Sequence, residues 1–145
     1  MAEPRPLLVV DAANVVGSVP DGWWRRRAEA AELLRDALGP VAGAGLPARG
    51  LPAGLGWLAR PPLEVVLVVE GAAARVGGSP TVRVVAAHSG GDDTIVELIA
   101  TEGAGRRCAV ATADRGLRSR VRELRAAVVA PAALPSRSRL DAARG

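Results

Sequence analysis

The segment Pro6-Leu-Leu-Val-Val-Asp11 is the clearest structural signal in the sequence, because it is a short, unbroken apolar run that ends in a carboxylate. Such a run, rich in β-branched residues and without alternation, is typical of a strand buried on both faces. Further strand-like segments follow at 63–70, 81–86 and 107–112, and a short one at 126–130. The sequence therefore predicts five strands of a mainly parallel sheet.

The segments between these strands carry apolar residues at spacings of three and four, the pattern of an amphipathic helix. Asp21 is placed to open the first helix, and Gly39-Pro40 ends it. Its predicted inner face is Trp24, Ala28, Ala31, Leu34 and Leu38. Further helices are expected at 92–102 and 114–125. Strands alternating with helices, joined by right-handed crossovers, give a doubly wound, three-layer α/β sandwich.

Length and composition indicate one domain of ordinary size. The chain has 145 residues, 49% of them hydrophobic, and no apolar run near the ~18–20 residues of a membrane span. The first six residues show no signal peptide, so we expect a cytoplasmic protein without a membrane partner. Cys108 is the single cysteine, which excludes an internal disulfide and a cysteine-based metal cluster.

Two segments show no regular spacing of apolar residues. Residues 40–61 are rich in Gly, Pro and Ala, and we expect a long loop or poorly ordered insertion there. Residues 131–145 are expected to form a loosely packed tail. The predicted organisation is thus one domain over 1–130, with a loop insertion, followed by the tail.

Acidic residues concentrate where the predicted strands end. Asp11 closes the first strand and Glu70 the second, Asp92 and Asp93 follow the third, and Asp114 follows the fourth. In an open parallel sheet these carboxyl ends share one edge, which is where ligands bind. The sequence therefore predicts a functional centre at this edge.

Each acid also has a local interpretation. Asp92, Asp93 or Asp114 could cap a helix, Thr94 with Glu97 fits a capping box, and Asn14 could stabilise a turn. Capping does not explain the carboxylate at the end of the first strand, and it leaves anions crowded together. A divalent cation would relieve that repulsion. Oxygen donors without a His or Cys cluster favour Mg²⁺ or Mn²⁺, and His88 alone is expected to be a loop residue.

Three short motifs, in this order and on these elements, carry a family resemblance. They are Leu-Val-Val-Asp11-Ala-Ala-Asn14-Val-Val, Gly-Asp92-Asp93-Thr-Ile-Val-Glu97 and Val-Ala-Thr112-Ala-Asp114-Arg115. Over roughly residues 6–130, the chain resembles the NYN/PIN-like ribonuclease superfamily, in particular its bacterial NYN-domain branch. That resemblance implies a PIN-like topology and a nuclease centre dependent on Mg²⁺ or Mn²⁺.

The resemblance also assigns site residues. It implies metal ligation by Asp11, Asp93 and Asp114, with Asp92 a competing candidate for the middle place, and it places Asn14 and Thr112 beside them. Glu70 stands where many relatives would have an aspartate, which leaves its metal role open. RNA is the implied partner, and pairing into a homodimer is a further expectation.

Basic and aromatic residues suggest how RNA could be held. Arg115, Arg118, Arg122 and Arg125 recur at helical spacing and form one stripe, although a solvated face in an arginine-rich protein explains them equally well. Arg25-Arg26-Arg27 is a weaker cluster, because three consecutive residues fan around a helix. Trp23 is a candidate for base stacking or for burial against the 40–61 segment.

Three functions fit these observations. The first is a metal-dependent ribonuclease, with Asp11, Asn14, Asp92, Asp93 and Asp114 as its catalytic residues and Thr112, Arg115, Arg118 and Arg122 as RNA or phosphate contacts. The second is an RNA-binding or adaptor module that retains the fold without turnover. The third is a nucleotide phosphohydrolase, against which the absence of a compact Gly-rich phosphate loop counts.

Overall fold

The sheet is the frame of the molecule. A computed structural model describes residues 4–17, 27–88 and 90–135. Within these residues the strands are β1 (Leu7–Asp11), β2 (Glu64–Val69), β3 (Val82–Ala86), β4 (Cys108–Ala111) and β5 (Ala127–Val129). Their order is β3-β2-β1-β4-β5, and each neighbouring pair is parallel. The predicted five-stranded parallel sheet is confirmed.

Helices cover both faces of this sheet. They are α1 (Ala12–Gly17), α2 (Arg27–Ala37), α3 (Val41–Ala44), α4 (Gly91–Thr101) and α5 (Arg115–Glu123). Leu8 and Val10 of β1 pack in one core cluster with α1 and α2, whereas Leu7 and Val9 pack in another with α4 and α5. Because β1 is central and buried on both faces, its last residue, Asp11, lies in the middle of the carboxyl edge.

The first helix of the chain differs from the prediction. Asn14 lies within α1, which begins directly after β1, rather than in a turn. Six residues are too few for an apolar period to reveal a helix. In α2 the predicted inner positions Ala28, Ala31 and Leu34 are buried. Trp23, Trp24 and the predicted cap Asp21 lie outside the described residues.

Residues 40–61, expected to be a long loop or poorly ordered insertion, are a connection that contains short helical turns and is packed against the core. They form α3 and two 3-10 turns, Ala48–Gly50 and Gly56–Ala59. Leu46 and Leu58 are fully or almost fully buried, and the Leu46 N–H donates to the Leu58 carbonyl at 2.8 Å. Irregularly spaced apolar residues anchor this segment to the core, so a periodicity argument could not find it.

The packed domain also extends beyond residue 130, where the tail was expected to begin. A 3-10 turn spans Pro131–Ala133, and Leu134 is completely buried in the cluster on the α2 face. The folded part therefore includes residue 134. None of the helices in the described ranges is long and apolar enough to cross a membrane.

Candidate active site at the carboxyl edge of the sheet

Asp11 is the buried acid of the site. It is 6% exposed, although it closes an otherwise apolar strand. Its Oδ2 accepts a hydrogen bond from the Thr112 hydroxyl at 3.0 Å, and its Oδ1 accepts one from the Asn14 N–H at 3.4 Å. These contacts fix the carboxylate at the end of the central strand.

Thr112 and Asn14 connect the ends of β1 and β4. The Thr112 side chain is fully buried, and its Oγ1 accepts a hydrogen bond from the Asp114 N–H at 3.1 Å while it donates to Asp11. Asn14 Oδ1 accepts from the Ala113 N–H at 2.7 Å. The two side chains thereby set the position of Asp114 relative to Asp11.

Asp114 is the N-cap of α5. Its Oδ1 accepts a hydrogen bond from the Leu117 N–H at 2.8 Å, so the local interpretation of this acid as a cap is confirmed. Capping occupies one of its two oxygens. The same residue therefore starts α5 and presents a carboxylate at the edge of the sheet.

Glu70 caps a helix from a neighbouring strand end. Its Oε2 accepts a hydrogen bond from the Gly91 N–H, the first residue of α4, at 2.5 Å. A Cβ atom at Gly91 would overlap this carboxylate, so a larger residue there would displace the Glu70 side chain. Neither Asp92 nor Asp93 is the N-cap of α4, which is Gly90. The contact joins the start of α4 to the end of β2.

Asp92 and Asp93 face different partners. The side chain of Asp93 is 70% exposed and forms an ion pair with Arg120 of α5 at 3.0 Å. Asp92 is half-buried. Burial raises the pKa of Asp92, and the charges of Asp114 and Glu70 raise it further, while Arg120 opposes them. Asp92 therefore belongs electrostatically to the strand-end acids.

The strand-end carboxylates repel one another. Burial raises the pKa of Asp11; hydrogen bonds from Thr112 and Asn14 offset part of this effect, and the charges of Asp92 and Glu70 add to it. We use the term acidic cluster for Asp11, Glu70, Asp92 and Asp114. Like charges gathered at one edge around a buried carboxylate are typical of a functional site.

The donors of the acidic cluster suit a hard cation, with one restriction. Among the described residues, no three His, Cys, Asp or Glu side chains are grouped closely enough to hold one metal ion. Mg²⁺ commonly uses one or two carboxylates and completes its shell with water and substrate phosphate. The oxygen donors present therefore fit an ion shared with a phosphate-bearing ligand better than a closed protein cage.

The arginines of α5 begin beside this edge. Arg118 Nε donates to the Thr112 carbonyl at 2.9 Å, which ties the helix to the end of β4. Arg115, Arg118 and Arg122 line a surface pocket of about 500 Å³. Arg125 is exposed after the helix. Of the second basic cluster, Arg25 and Arg26 lie outside the described residues.

Sequence reasoning missed two features of the site. Arg120 was not singled out, because its importance depends on the packing of α5 against α4. The capping role of Glu70 was also missed, since its partner Gly91 is 21 residues away. The adjacent glycines Gly90 and Gly91 were the available signal for a close approach at the start of α4.

The five-stranded parallel sheet with helices on both faces matches a PIN-like α/β fold. The crystal structure of a mutant of Rae1 (YacP) from Bacillus subtilis is similar, with a TM-score of 0.55 over 88% of this chain and 70% of that chain. The two sequences are 16% identical, so the similarity shows the fold alone. No protein-family profile matches the sequence, and no curated protein is significantly similar to it.

Proposed function

We propose that the protein is a metal-dependent endoribonuclease that hydrolyses RNA at the acidic cluster. The observation that carries the proposal is the setting of Asp11, a buried carboxylate whose pKa is raised by burial and by the neighbouring charges of Asp92 and Glu70. A cation bound with substrate would relieve this repulsion. The motifs that resemble NYN/PIN-like ribonucleases fall on the same edge, and the fold shared with Rae1 is consistent with them.

Asp11 and Asp92 would hold Mg²⁺ or Mn²⁺ together with water and the substrate phosphate, with Asp114 as a neighbouring negative charge. Asp92 is preferred to Asp93 because Asp93 is engaged with Arg120 and more exposed. When bound, the ion would supply positive charge to the phosphate and promote attack by water. Thr112 and Asn14 act as positioning residues, since each hydrogen-bonds to Asp11 and to the backbone after β4.

The arginine stripe would hold the RNA backbone. Arg115 and Arg122 lie on the pocket wall beyond Arg118, which is itself anchored at the acidic edge. Contacts of this kind are electrostatic and weaken with salt. We propose that the enzyme acts on cytoplasmic RNA; assembly into a homodimer stays a prediction.

The proposal is tested by Mn²⁺-stimulated cleavage of structured and unstructured RNAs. Asp11→Asn should reduce cleavage by roughly 100-fold or more, the usual effect of removing a preorganised electrostatic group. Glu97→Gln, an exposed change on α4, is the matched control and should cleave normally. Equal activity in wild type and Asp11→Asn would refute the assignment. Hydrolysis of free nucleotides in place of RNA would identify a phosphohydrolase.

A second candidate is an RNA-binding module without turnover. It is favoured by the lack of a three-ligand metal group among the described residues and by the capping hydrogen bond to Asp114. This candidate predicts salt-dependent RNA binding and no cleavage products. Calorimetric titration with Mn²⁺ should then show no heat beyond that of RNA titrated alone. A saturable Mn²⁺ heat that Asp11→Asn abolishes would exclude it.

A further inference from the structure

A small pocket lies beside the acidic cluster, between α1, α2 and the 3-10 turn Gly71–Arg75. Its volume is about 140 Å³. Ala12, Ala13 and Val16 of α1 form one side, and Ala31 of α2 and Ala73 of the turn contribute the rest of its apolar surface. The short side chains leave space where longer ones would fill it.

The pocket adjoins the acidic cluster at Glu70. Glu70 is both a member of the acidic cluster and a residue of the pocket wall, and Ala12 directly follows Asp11 in the chain. A group in this pocket would therefore lie beside a phosphodiester held at the cluster. We propose that the pocket receives one nucleobase of the bound RNA, an inference that rests on the proposed ribonuclease function.

The size of the pocket favours a single ring system. Sites for drug-sized ligands typically measure roughly 300–1,000 Å³, well above this volume. Bases turned out of the strand commonly insert between aromatic or apolar side chains. The alanine walls supply an apolar surface of this kind, and Arg27 also lines the pocket.

The polar groups indicate which bases fit. Oε2 of Glu70 is occupied by the Gly91 N–H, while the described residues form no hydrogen bond to its Oε1. This oxygen can accept from a base amino group. Adenine, cytosine and guanine carry one, whereas uracil presents a single N–H between two carbonyl oxygens. We expect a preference of about tenfold for the amino-bearing bases, the value of one hydrogen bond to a charged group.

Binding of nucleoside 5′-monophosphates tests the pocket without requiring cleavage. Measured by NMR titration in Mg²⁺, AMP, CMP and GMP should bind wild type about tenfold more tightly than UMP or ribose 5-phosphate. Val16→Trp fills the pocket and should abolish this difference; Ala100→Trp, on the exposed face of α4, should preserve it. Ala13→Leu is the alternative filling variant if Val16→Trp does not fold. Equal binding of AMP and ribose 5-phosphate would overturn the inference.

Cleavage of RNAs that contain one abasic ribose separates this inference from the proposed function. If wild type cleaves RNA, one abasic position should slow cleavage at a fixed phosphodiester, and Val16→Trp should be insensitive to it. An unchanged cleavage rate at every abasic position would contradict the nucleobase pocket but not the proposed ribonuclease activity. Base-dependent nucleotide binding without any RNA cleavage supports the pocket and contradicts the ribonuclease.

Discussion

The two ends of the sheet differ in how their acidic side chains are paired. At the amino end, the Arg83 guanidinium donates to both oxygens of Glu102 at 2.6 Å. At the carboxyl end, Asp11 and Asp92 lie near other acids. Glu64, also at the amino end, accepts from Arg106 at 3.0 Å. Hydrogen bonding to Arg83 lowers the pKa of Glu102. Burial raises the pKa of Asp11 and Asp92.

The paired charges of the amino end suit a structural role, and the crowded acids of the carboxyl end suit the proposed metal site. Paired charges at the amino end contribute to the stability of the fold, modestly where they are exposed. Repulsion among the acids at the carboxyl end is only partly offset by Arg120 and lowers stability. Proteins retain such local conflicts chiefly at functional sites. The carboxyl end is therefore the part of the molecule that a bound cation should change most.

The largest predicted effect is stabilisation of the carboxyl end by Mn²⁺. At a concentration about 100-fold above its Kd, one bound ion adds about 2.7 kcal/mol to the free energy of unfolding. Thermal denaturation should show this gain for wild type and for Glu102→Gln, which alters only the amino end. Asp11→Asn should show little or none. A gain of equal size in Asp11→Asn would place the ion elsewhere.

Loss of Arg106 should have the next largest effect, at the amino end. Arg106 is 12% exposed, donates from Nε to the Arg5 carbonyl at 2.8 Å, and pairs with Glu64. Arg106→Ala should lower the free energy of unfolding by about 2 kcal/mol in urea denaturation, because charged hydrogen bonds are lost. The exposed neighbour change Arg107→Ala should stay within ~0.5 kcal/mol. Similar losses in both variants would contradict the specific role of Arg106.

Asp92→Asn should stabilise the metal-free protein at pH 7, by up to about 1 kcal/mol for a charge in this half-exposed position. Folding raises the pKa of Asp92. At pH values between the ordinary and the raised pKa, the native state therefore binds more protons than the unfolded state. Wild-type stability consequently falls as pH rises through that window. The advantage of Asp92→Asn should therefore vanish near pH 3.

Glu102→Gln should change stability in the opposite direction in the same measurement. The folded pKa of Glu102 is lowered, so its contribution is present above its ordinary pKa and is lost as pH falls through the folded value. Glu102→Gln should thus be less stable than wild type at pH 7, and the difference should shrink in acid. The same sign for both variants at pH 7 would contradict the contrast between the two ends.

The smallest predicted effect concerns the end of α5. Arg125 has a φ of 67°, and the Ala126 N–H donates to the Val121 carbonyl at 3.1 Å, the hydrogen bonding of a Schellman cap. Arg125→Gly should raise the free energy of unfolding by roughly 0.5–1 kcal/mol, since glycine adopts this conformation without strain. Arg122→Gly, inside the helix, should lower it by about 1 kcal/mol in the same denaturation assay. Destabilisation by Arg125→Gly would contradict the capping geometry.

Most of the fold was predictable because its strands are apolar runs and α4 and α5 show clear helical periods. The 40–61 segment was not predictable, since Leu46 and Leu58 pack without any period. The site was predictable as a location, because strand ends determine where Asp11 and Asp114 lie. The proposed preference for Asp92 over Asp93 as a metal ligand was not predictable from the sequence, because it depends on how Arg120 of α5 approaches α4.

The most direct test of the acidic cluster as a metal-dependent ribonuclease site is Mn²⁺-dependent RNA cleavage by Asp92→Asn and Asp93→Asn. These are identical chemical changes at adjacent positions. Asp92→Asn should lose roughly 100-fold or more of the activity. Asp93→Asn should stay within about fivefold of wild type, because an exposed ion pair contributes at most ~1 kcal/mol. Full activity in Asp92→Asn, or a large loss confined to Asp93→Asn, would contradict the account.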